Sequence, residues 1–405
     1  MLSTSRTRTL LLALGTLAYA SLMFVWFSVP AYLDAIVADF ALSSTQAGVL
    51  TGAIPLTYVP VALFSGVVTD RVGPYRAIGV GVPLFGAAQL GRSFAESFPV
   101  LLALTVVVGV GATTITFGLP KLVSDLYPPA ASGTPSSVYV VGSLAGTAAA
   151  FSLGRGVLGP ALGGWRALFA ATGVAVLGYA LCWWAVVRTV PIETIRYADD
   201  PAADDASLSL AALRRDVGRV FANRSMRLLV VVGVVYLLVT HGVQNWLATV
   251  LQSHGVAAPL AATFVSGFVA AQAVGTLAVP ALSDRLGERG AVIAGCLAFC
   301  ALGTLAFLPA GVPLAGLLAG ALLVGLGAGG VSPLVRMVPA ELDGVGPTLT
   351  GTAVGLVFAV GELGGFLGPF LIGALYDLTG TYATGLAVIA LACALAVEAG
   401  RRLPA

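Results

Sequence analysis

A few polar and charged side chains stand inside long apolar stretches of this chain, and they are the residues best placed to do chemistry. Glu362 lies in the stretch FAVGELGGFLGP, and Arg155 lies in the stretch FSLGRGVLGP. A charge at the centre of a lipid bilayer costs roughly 2.5–3.5 kcal/mol on insertion scales, and such residues commonly mark ion or substrate paths. We therefore predict that Glu362 carries a coupling proton or contacts a substrate, and that Arg155 attracts an anionic group. A structural hydrogen bond for Glu362 and a surface-directed side chain for Arg155 are the alternatives.

A second group of candidates lies in the stretch VTHGVQNWL. His241, Gln244 and Asn245 are spaced by three and four residues, so they share one face of a helix, and Thr240 directly precedes them. Histidine can change its charge near neutral pH, although a single helical histidine is more often a packing residue. We predict that this cluster contacts a ligand, with packing as the alternative.

The sequence lacks the patterns that are typical of enzymes and metal sites. All four cysteines fall within apolar runs, as small buried side chains do: Cys182, Cys296, Cys300 and Cys393. No nucleophile and base stand at a catalytic spacing, and the Gly-x-x-x-x-Gly-Lys-Ser/Thr loop that cradles phosphates is absent. We therefore expect a protein that is not an enzyme and that needs no cofactor, metal ion or ATP.

The composition indicates a membrane protein. The chain has 405 residues, of which 58% are hydrophobic and only 9% are charged, with a mean hydropathy of +0.98. Soluble domains carry roughly a quarter of charged residues, so most of this chain cannot face water. Apolar runs of 18 residues or more predict membrane-spanning helices, in which every backbone polar group is paired internally. The net charge of +2 argues against a nucleic-acid partner.

Twelve apolar spans can be counted along the chain. They lie at residues 10–32, 46–68, 77–93, 99–119, 134–160, 167–188, 228–251, 259–282, 291–309, 314–335, 348–372 and 381–400. The first run resembles a secretory signal, but it continues past Ala20 to the length of a full span, so we interpret it as a helix of the protein. Residues 190–226 form the only long polar segment and predict a linker with a short amphipathic helix.

The basic residues predict the orientation of the chain. Of the 20 lysines and arginines, two fall in loops of one side, Arg92 and Arg166, and Arg155 falls within a span. If the twelve spans cross the membrane in alternating directions, both termini lie on one side, and the other 17 basic residues fall on that side. Because basic residues concentrate in cytoplasmic loops, we predict a multi-pass protein of the cell membrane with both termini in the cytoplasm.

Three short patterns recur at nearly one spacing. Asp70-Arg71-x-Gly73 matches Asp284-Arg285-x-Gly287, which lies 214 residues later in the chain. The stretch VGVGA at 108–112 matches VGLGA at 324–328, and LGPALGG at 158–164 resembles LGPFLIG at 367–373. Ordered matches of this kind predict two homologous halves of six helices each.

At this point the chain resembles the major facilitator superfamily over essentially its whole length. The family's loop motif, Gly-x-x-x-Asp-Arg-x-Gly-x-Arg/Lys-Arg/Lys, is present as Gly66, Asp70, Arg71, Gly73 and Arg76. The resemblance implies an all-α fold with twelve transmembrane helices in two pseudo-symmetric six-helix bundles. The bundles would be residues 1–189 and 227–405, joined by a cytoplasmic linker at 190–226. The motif residues and the second copy, Asp284, Arg285 and Gly287, would form gates that lock one conformation; anchoring the topology is the alternative.

The resemblance also implies the activity and a set of lining residues. The chain would be a secondary active transporter that moves a small organic solute, such as an organic anion, by alternating access with proton coupling. Spans one, four, seven and ten surround the cavity in this family. Residues that would complete the lining are Tyr19, Trp26, Tyr58, Thr113, Thr116 and Gln272. The expected partners are a small-molecule substrate, a coupling ion and the lipid bilayer, and the protein is expected to act as a monomer.

The turn before span two resembles the branch of cyanate, nitroimidazole and organic-anion carriers. Nitrate-transporting relatives carry arginine in spans two and eight, which have none in this chain. A proton-coupled exporter of lipophilic compounds and a non-transporting membrane receptor remain as alternatives. A drug-susceptibility test in a deletion strain distinguishes the exporter from a carrier of organic anions. A ligand-binding protein that fails to move its ligand in liposomes would favour the receptor.

Overall fold

The described part of the chain is entirely helical in its regular structure. The computed structural model describes residues 4–128, 131–190, 195, 197 and 210–403. The helices are α1 Thr4–Ala31, α2 Leu33–Phe40, α3 Ser44–Val72, α4 Pro74–Ser93, α5 Phe98–Leu126, α6 Gly133–Ala149, α7 Gly159–Leu162, α8 Trp165–Thr189, α9 Leu210–Ala222, α10 Arg224–Ser253, α11 Ala258–Leu286, α12 Arg289–Leu305, α13 Leu314–Glu341, α14 Gly346–Thr379 and α15 Tyr382–Arg401. A π-helical segment, Ala150–Leu158, joins α6 to α7.

Eleven of the twelve predicted spans coincide with one helix each, and the span at 134–160 coincides with α6, the π-helical segment and α7 taken together. Within the described residues, nine helices are long and apolar enough to cross a membrane, and α12 is a shorter apolar helix of 17 residues. The helices α3 and α4 occupy the remaining two predicted spans. The all-α fold class with twelve spans is therefore confirmed.

The π-helical segment is a feature that the apolar pattern does not reveal. The predicted span at 134–160 is divided into α6, nine residues of π-helix and the short helix α7. A π-helix has a wider turn than an α-helix and occurs frequently at functional sites. The wider turn changes the direction in which Arg155 projects, because that residue lies within the segment.

The predicted linker is described only in part. Residues 191–194, 196 and 198–209 lie outside the described residues. The helix α9 follows, and Asn223 begins α10 by accepting hydrogen bonds at its side-chain oxygen from the backbone N–H groups of Ser225 and Met226, at 2.8 and 3.2 Å. Asparagine is among the residues that best satisfy the free N–H groups at a helix start.

The chain forms two compact units. The first comprises Met1–Ala35 and Pro60–Ala206, and the second comprises Ile36–Val59 and Ser207–Ala405. The initial part of α3 therefore packs within the second unit, although it precedes most of the first unit in sequence.

The same helix pairings recur inside each unit. In the first unit α1 packs on α6, and α4 packs on α5 and α8; in the second unit α10 packs on α14, and α12 packs on α13 and α15. Small residues permit these close approaches. A Cβ atom at Gly146 would collide with the backbone oxygen of Ala20, and one at Gly368 with that of Leu238. The repeated sequence patterns thus correspond to repeated packing.

The two copies of the loop motif share a glycine with a positive φ angle, although their ψ angles differ, at 154° for Gly73 and 15° for Gly287. Gly73 and Gly287 have φ angles of 82° and 69°, which favour glycine. Each donates its N–H over 3.0 Å to the carbonyl four residues earlier, that of Thr69 or of Ser283. The spacing of 214 residues in the sequence therefore joins two helix ends that each use a glycine at positive φ, with different turns after it.

Candidate functional site

Glu362 is a buried carboxylate in the middle of a long helix. It lies halfway along the 34 residues of α14, and only 8% of its surface is exposed. Its Oε2 atom lies 4.0 Å from Nε2 of His241, which α10 contributes. That oxygen has no hydrogen-bond partner within the described part of the chain. The structure thus brings together two of the residues that the sequence selects.

The polar cluster on α10 is buried as a whole. His241, Gln244 and Asn245 are each less than 9% exposed, because α10 is enclosed on all sides in this region. The amide nitrogen of Asn245 donates to the backbone oxygen of Thr51 over 3.3 Å. Among the described residues, its amide oxygen Oδ1 accepts no hydrogen bond. Asn245 therefore retains an unused acceptor near the pair formed by His241 and Glu362.

The absence of a side chain at Gly365 keeps this region tightly packed. A Cβ atom there would lie 2.8 Å from Oε2 of Glu362, 3.0 Å from Cβ of Pro55 and 3.1 Å from Cδ2 of His241. Contacts below about 3.4 Å are shorter than van der Waals packing permits without movement. Any larger residue at this position would displace the carboxylate or the imidazole.

Arg336 is a functional candidate that the sequence reasoning missed. Its guanidinium carbon lies 4.3 Å from the ring centre of Phe358, and Nη1 donates to both the backbone oxygen and the hydroxyl of Ser332 at 2.7 Å. Ser332 also forms a side-chain hydrogen bond with Tyr236. The positive charge of Arg336 lies within electrostatic range of Glu362.

The end of the apolar run conceals the position of Arg336 within its helix. Because Arg336 follows the predicted span at 314–335, the sequence predicts that it lies among the basic residues of the cytoplasmic side. The helix α13 in fact continues to Glu341. Arg336 therefore lies about 7 Å inside the helix end, at 1.5 Å per residue, and faces α10 and α14.

Two further predicted residues of the second unit are buried. Tyr58 on α3 is 6% exposed, and Gln272 on α11 is 8% exposed. The backbone oxygen of Gln272 accepts a hydrogen bond from the hydroxyl of Thr276 over 2.9 Å. Both residues have the polar groups of a cavity lining, and their role as ligand contacts stays a prediction.

The first unit holds the predicted aromatic and threonine residues. Tyr19 lies 6.2 Å from the ring of Tyr139, and Trp26 stacks on Phe27 at 5.9 Å. Thr113 is buried and Thr116 is half-buried on α5. Trp26 and Thr113 are buried, and the role of these four residues as ligand contacts stays a prediction.

Arg155 forms an ion pair inside the first unit. Its Nη2 atom lies 2.7 Å from Oδ2 of Asp34, and its guanidinium carbon lies 4.6 Å from the ring centre of Tyr32. The hydroxyl of Tyr32 donates to the backbone oxygen of Gly154 over 3.2 Å. The short helix α2, which the apolar pattern did not predict, supplies Asp34 and so balances the charge of Arg155.

The first copy of the loop motif is described in part. Arg71 and Arg76 are exposed, and the space around Gly66 and Gly73 is open within 4 Å. The side chain of Asp70 lies outside the described residues.

The second copy of the motif contains a three-residue ion cluster. Nη1 of Arg289 lies 2.6 Å from Oδ1 of Asp284, and Nη2 lies 3.0 Å from Oε1 of Glu341 at the end of α13. Arg285, which the sequence selected with Asp284, is exposed. The cation that pairs with Asp284 is therefore Arg289, and the cluster joins α11, α12 and α13.

Comparisons with known proteins identify the same architecture. The family model of the Major Facilitator Superfamily matches residues 11–369 and, in a second match, 246–401. The 3-(3-hydroxy-phenyl)propionate transporter of Escherichia coli is 31% identical over 84% of this chain and 81% of its own length. A probable nitrate/nitrite transporter, NarK2, of Mycobacterium tuberculosis is 30% identical over 87% of this chain and 85% of its own.

A solved structure shows the same fold. It is a bacterial homolog of the human lysosomal transporter Spinster, crystallised in an inward-facing and occupied conformation. The TM-score is 0.79 at 21% identity, and the match covers 98% of this chain and 96% of that protein. At this identity the likeness shows the fold alone.

Proposed function

Since this chain belongs to the Major Facilitator Superfamily and is a multi-pass membrane transporter, we propose that it moves a small organic anion across the cell membrane by proton-coupled alternating access. Both termini would lie in the cytoplasm. The two bundles, residues 1–189 and 227–405, would expose a central site to one compartment at a time, and residues 190–226 would link them. Such rocking of two repeats about a fixed site is the usual mechanism of transporters with internal repeats.

The observation that carries this proposal is the position of Glu362. Its Oε2 atom is buried halfway along a membrane-spanning helix and has no hydrogen-bond partner among the described residues. Burial of such a group lowers the stability of the protein, so we infer that the carboxylate is kept for its function. Carboxylates of this kind serve as proton carriers in transporters. The charged and titratable groups that face it are His241 and Tyr236 from α10 and Arg336 from α13. Protonation of Glu362 would change its attraction to Arg336 and to a bound anion.

The class of substrate is supported by the relatives. The Escherichia coli relative is named for a phenylpropionate, and the Mycobacterium tuberculosis relative is named for nitrate and nitrite. All of these compounds are anions near neutral pH. Nitrate-transporting members of the family carry arginine in spans two and eight. The corresponding spans of this chain, in α3 and α11, contain no arginine, so an organic anion is a better candidate substrate than nitrate.

The remaining predicted residues take defined roles in this proposal. Substrate would contact the buried polar groups and aromatic rings of both units, which are Tyr19, Trp26, Tyr58, Thr113, Thr116, His241, Gln244, Asn245 and Gln272. The repeated loops would act as gates whose contacts form in one conformation and break in the other. Exposed ion pairs contribute only about 0–1 kcal/mol each, which suits a switch between two states of similar free energy.

Uptake by purified protein in liposomes tests the proposal. Radiolabelled 3-(3-hydroxyphenyl)propionate is the probe, and an inwardly directed proton gradient is the driving force. The wild-type protein should accumulate the probe, and Glu362→Gln should abolish accumulation. Glu398→Gln is the matched control, because Glu398 is an exposed residue that pairs with Arg402 at the end of α15.

Three outcomes would contradict the proposal. If Glu362→Gln accumulates the probe with the same pH dependence as wild type, Glu362 does not couple protons. If the wild-type protein binds the probe but never moves it, the receptor alternative is favoured. If it moves lipophilic cations and no anion of a tested series, the exporter alternative is favoured.

A further inference from the structure

We propose that the guanidinium of Arg336, held by Ser332 and Phe358, binds the carboxylate of the transported anion; this inference rests on the proposed function and assigns its substrate site. The substrate class is a small carboxylate with an apolar body. The sequence pattern predicts no substrate contact on α13, and the arrangement of side chains around Arg336 carries this assignment.

The guanidinium of Arg336 is available to a ligand, unlike those of other arginines inside the bundles. Its side chain is exposed, and within the described residues no carboxylate lies close enough to form an ion pair with it. Arg155 and Arg289 are already paired with aspartate or glutamate. The Nε and Nη2 atoms of Arg92 also have no hydrogen-bond partner among the described residues, but this side chain is fully buried and out of reach of a ligand. Arg336 therefore combines an unmatched charge with access.

The protein fixes the orientation of this guanidinium through one of its nitrogens. Both hydrogen bonds to Ser332, at 2.7 Å, come from Nη1. The edge formed by Nε and Nη2 has no partner in the described part of the chain, and this is the edge that binds a carboxylate through two parallel hydrogen bonds. The ring of Phe358, 4.3 Å away, restrains the group from one side. A planar cation with a free edge is preorganised for a carboxylate.

The residues around the guanidinium suit a ligand with an apolar body. Phe358, Glu362 and Phe366 are four residues apart on α14, so they share one face of that helix. Phe358 and Phe366 are half-buried, whereas Glu362 is buried. A carboxylate on Arg336 would place its apolar part along this aromatic face.

The site also connects binding with the proton. Arg336 attracts the carboxylate of Glu362 as well as that of a ligand, and the two anions repel each other. Uptake of a proton by Glu362 would remove the competitor, with Tyr236 and His241 as the other titratable groups that face it. Anion binding should therefore be strongest when Glu362 is neutral.

Equilibrium binding to the purified full chain in neutral detergent tests the proposal. The probes are 3-(3-hydroxyphenyl)propionate and the uncharged alcohol 3-(3-hydroxyphenyl)propan-1-ol. Arg336→Gln should weaken binding of the carboxylate about tenfold or more and leave that of the alcohol unchanged. Arg336→Lys should retain part of the affinity, because it keeps the positive charge. It should not restore all of it, because lysine cannot form the two parallel hydrogen bonds of a guanidinium. Arg188→Gln is the matched control, since Arg188 is also exposed and lies 5.7 Å from the ring centre of Trp184.

Chemical labelling of the wild-type protein provides a test that does not depend on the folding of a variant. Phenylglyoxal modifies accessible arginines, and peptide mass spectrometry reports each site. The carboxylate probe should protect Arg336 and leave Arg188 and Arg285 unprotected, and the alcohol should protect none of them. Glu362→Gln should bind the carboxylate more tightly than wild type at neutral pH, and its affinity should vary less with pH.

Several results would overturn the inference. Equal carboxylate affinity in the wild type and Arg336→Gln would do so, as would failure of the wild type to bind any carboxylate of a tested series. Protection of Arg336 by added phosphatidylglycerol, with none by the carboxylate, would assign the guanidinium to lipid headgroups. Equal affinity in Arg336→Gln would leave the proposed function intact, and a wild type that binds the carboxylate but transports nothing would contradict only the proposed function. A wild type that binds no carboxylate would contradict both.

Discussion

The carboxylate of Asp377, near the end of α14, accepts two hydrogen bonds from Thr45 at the start of α3, from the backbone N–H at 2.7 Å and from the hydroxyl at 2.6 Å. It also accepts one from the N–H of Ser44 at 2.9 Å. The first N–H groups of a helix have no partner within the helix, and a negative charge at this end is favourable. Asp377 thus caps α3 from a distant part of the chain.

Loss of this cap should loosen the start of α3. We expect Asp377→Ala to lower the free energy of unfolding by about 0.5–1 kcal/mol, the usual scale for a capping residue, and Asp377→Asn to cost less. The midpoint of thermal unfolding in detergent measures the effect. Asp216→Asn, which changes the pair of half-buried Asp216 with exposed Arg219 on α9, is the control. Equal midpoints for Asp377→Ala and this control would show that the cap is unimportant.

The helices α14 and α10 pack so closely that a methyl group added at the contact glycine Gly368 should destabilise the protein. A Cβ atom at Gly368 would collide with the backbone oxygen of Leu238 and lie 2.9 Å from the nitrogen of Gly242. We expect Gly368→Ala to destabilise the protein by about 1–3 kcal/mol, as overpacking does. Gly355→Ala on the same helix is the matched control, since a Cβ atom there meets open space. The relative yields of monodisperse protein and the unfolding midpoints check this expectation, which fails if both variants behave alike.

The ion cluster of the second loop motif should depend on Arg289 more than on Arg285. Arg289 bridges Asp284 and Glu341, whereas Arg285 is exposed. If the cluster acts as a gate, Arg289→Gln should reduce the initial rate of uptake in liposomes several-fold, and Arg285→Gln should reduce it less. Binding of the probe should remain unchanged in both variants. A larger loss in Arg285→Gln would contradict the assignment of the gate to Arg289.

The course of the helices could be predicted from the sequence because it depends on local properties. Apolar runs of sufficient length specify membrane-spanning helices, and identical residues at a spacing of 214 mark two helix ends with a glycine at positive φ, Gly73 and Gly287. The selection of Glu362 and His241 followed from the high cost of polar groups in lipid. The structure places these two residues 4.0 Å apart.

The partners of the arginines could not be predicted, because they depend on contacts between helices. Arg155 meets Asp34 through a π-helical segment and a short helix that the apolar pattern does not distinguish. Arg336 approaches Phe358 because α13 and α14 pack together over a helix end that extends beyond the apolar run. Asp284 pairs with Arg289 and not with the adjacent Arg285 because the glycine turn at Gly287 brings the start of α12 back to it.

The most direct test of the central claim is to measure proton entry during net uptake of the substrate. The claim is that Glu362 couples a proton to an anion bound at Arg336. Liposomes with trapped pyranine report internal pH. External 3-(3-hydroxyphenyl)propionate is added to start uptake, and no proton gradient is imposed. Wild-type protein should acidify the interior as the anion enters. Glu362→Gln should give no acidification, yet should still exchange labelled for unlabelled probe. Acidification by Glu362→Gln at the wild-type rate would contradict the account.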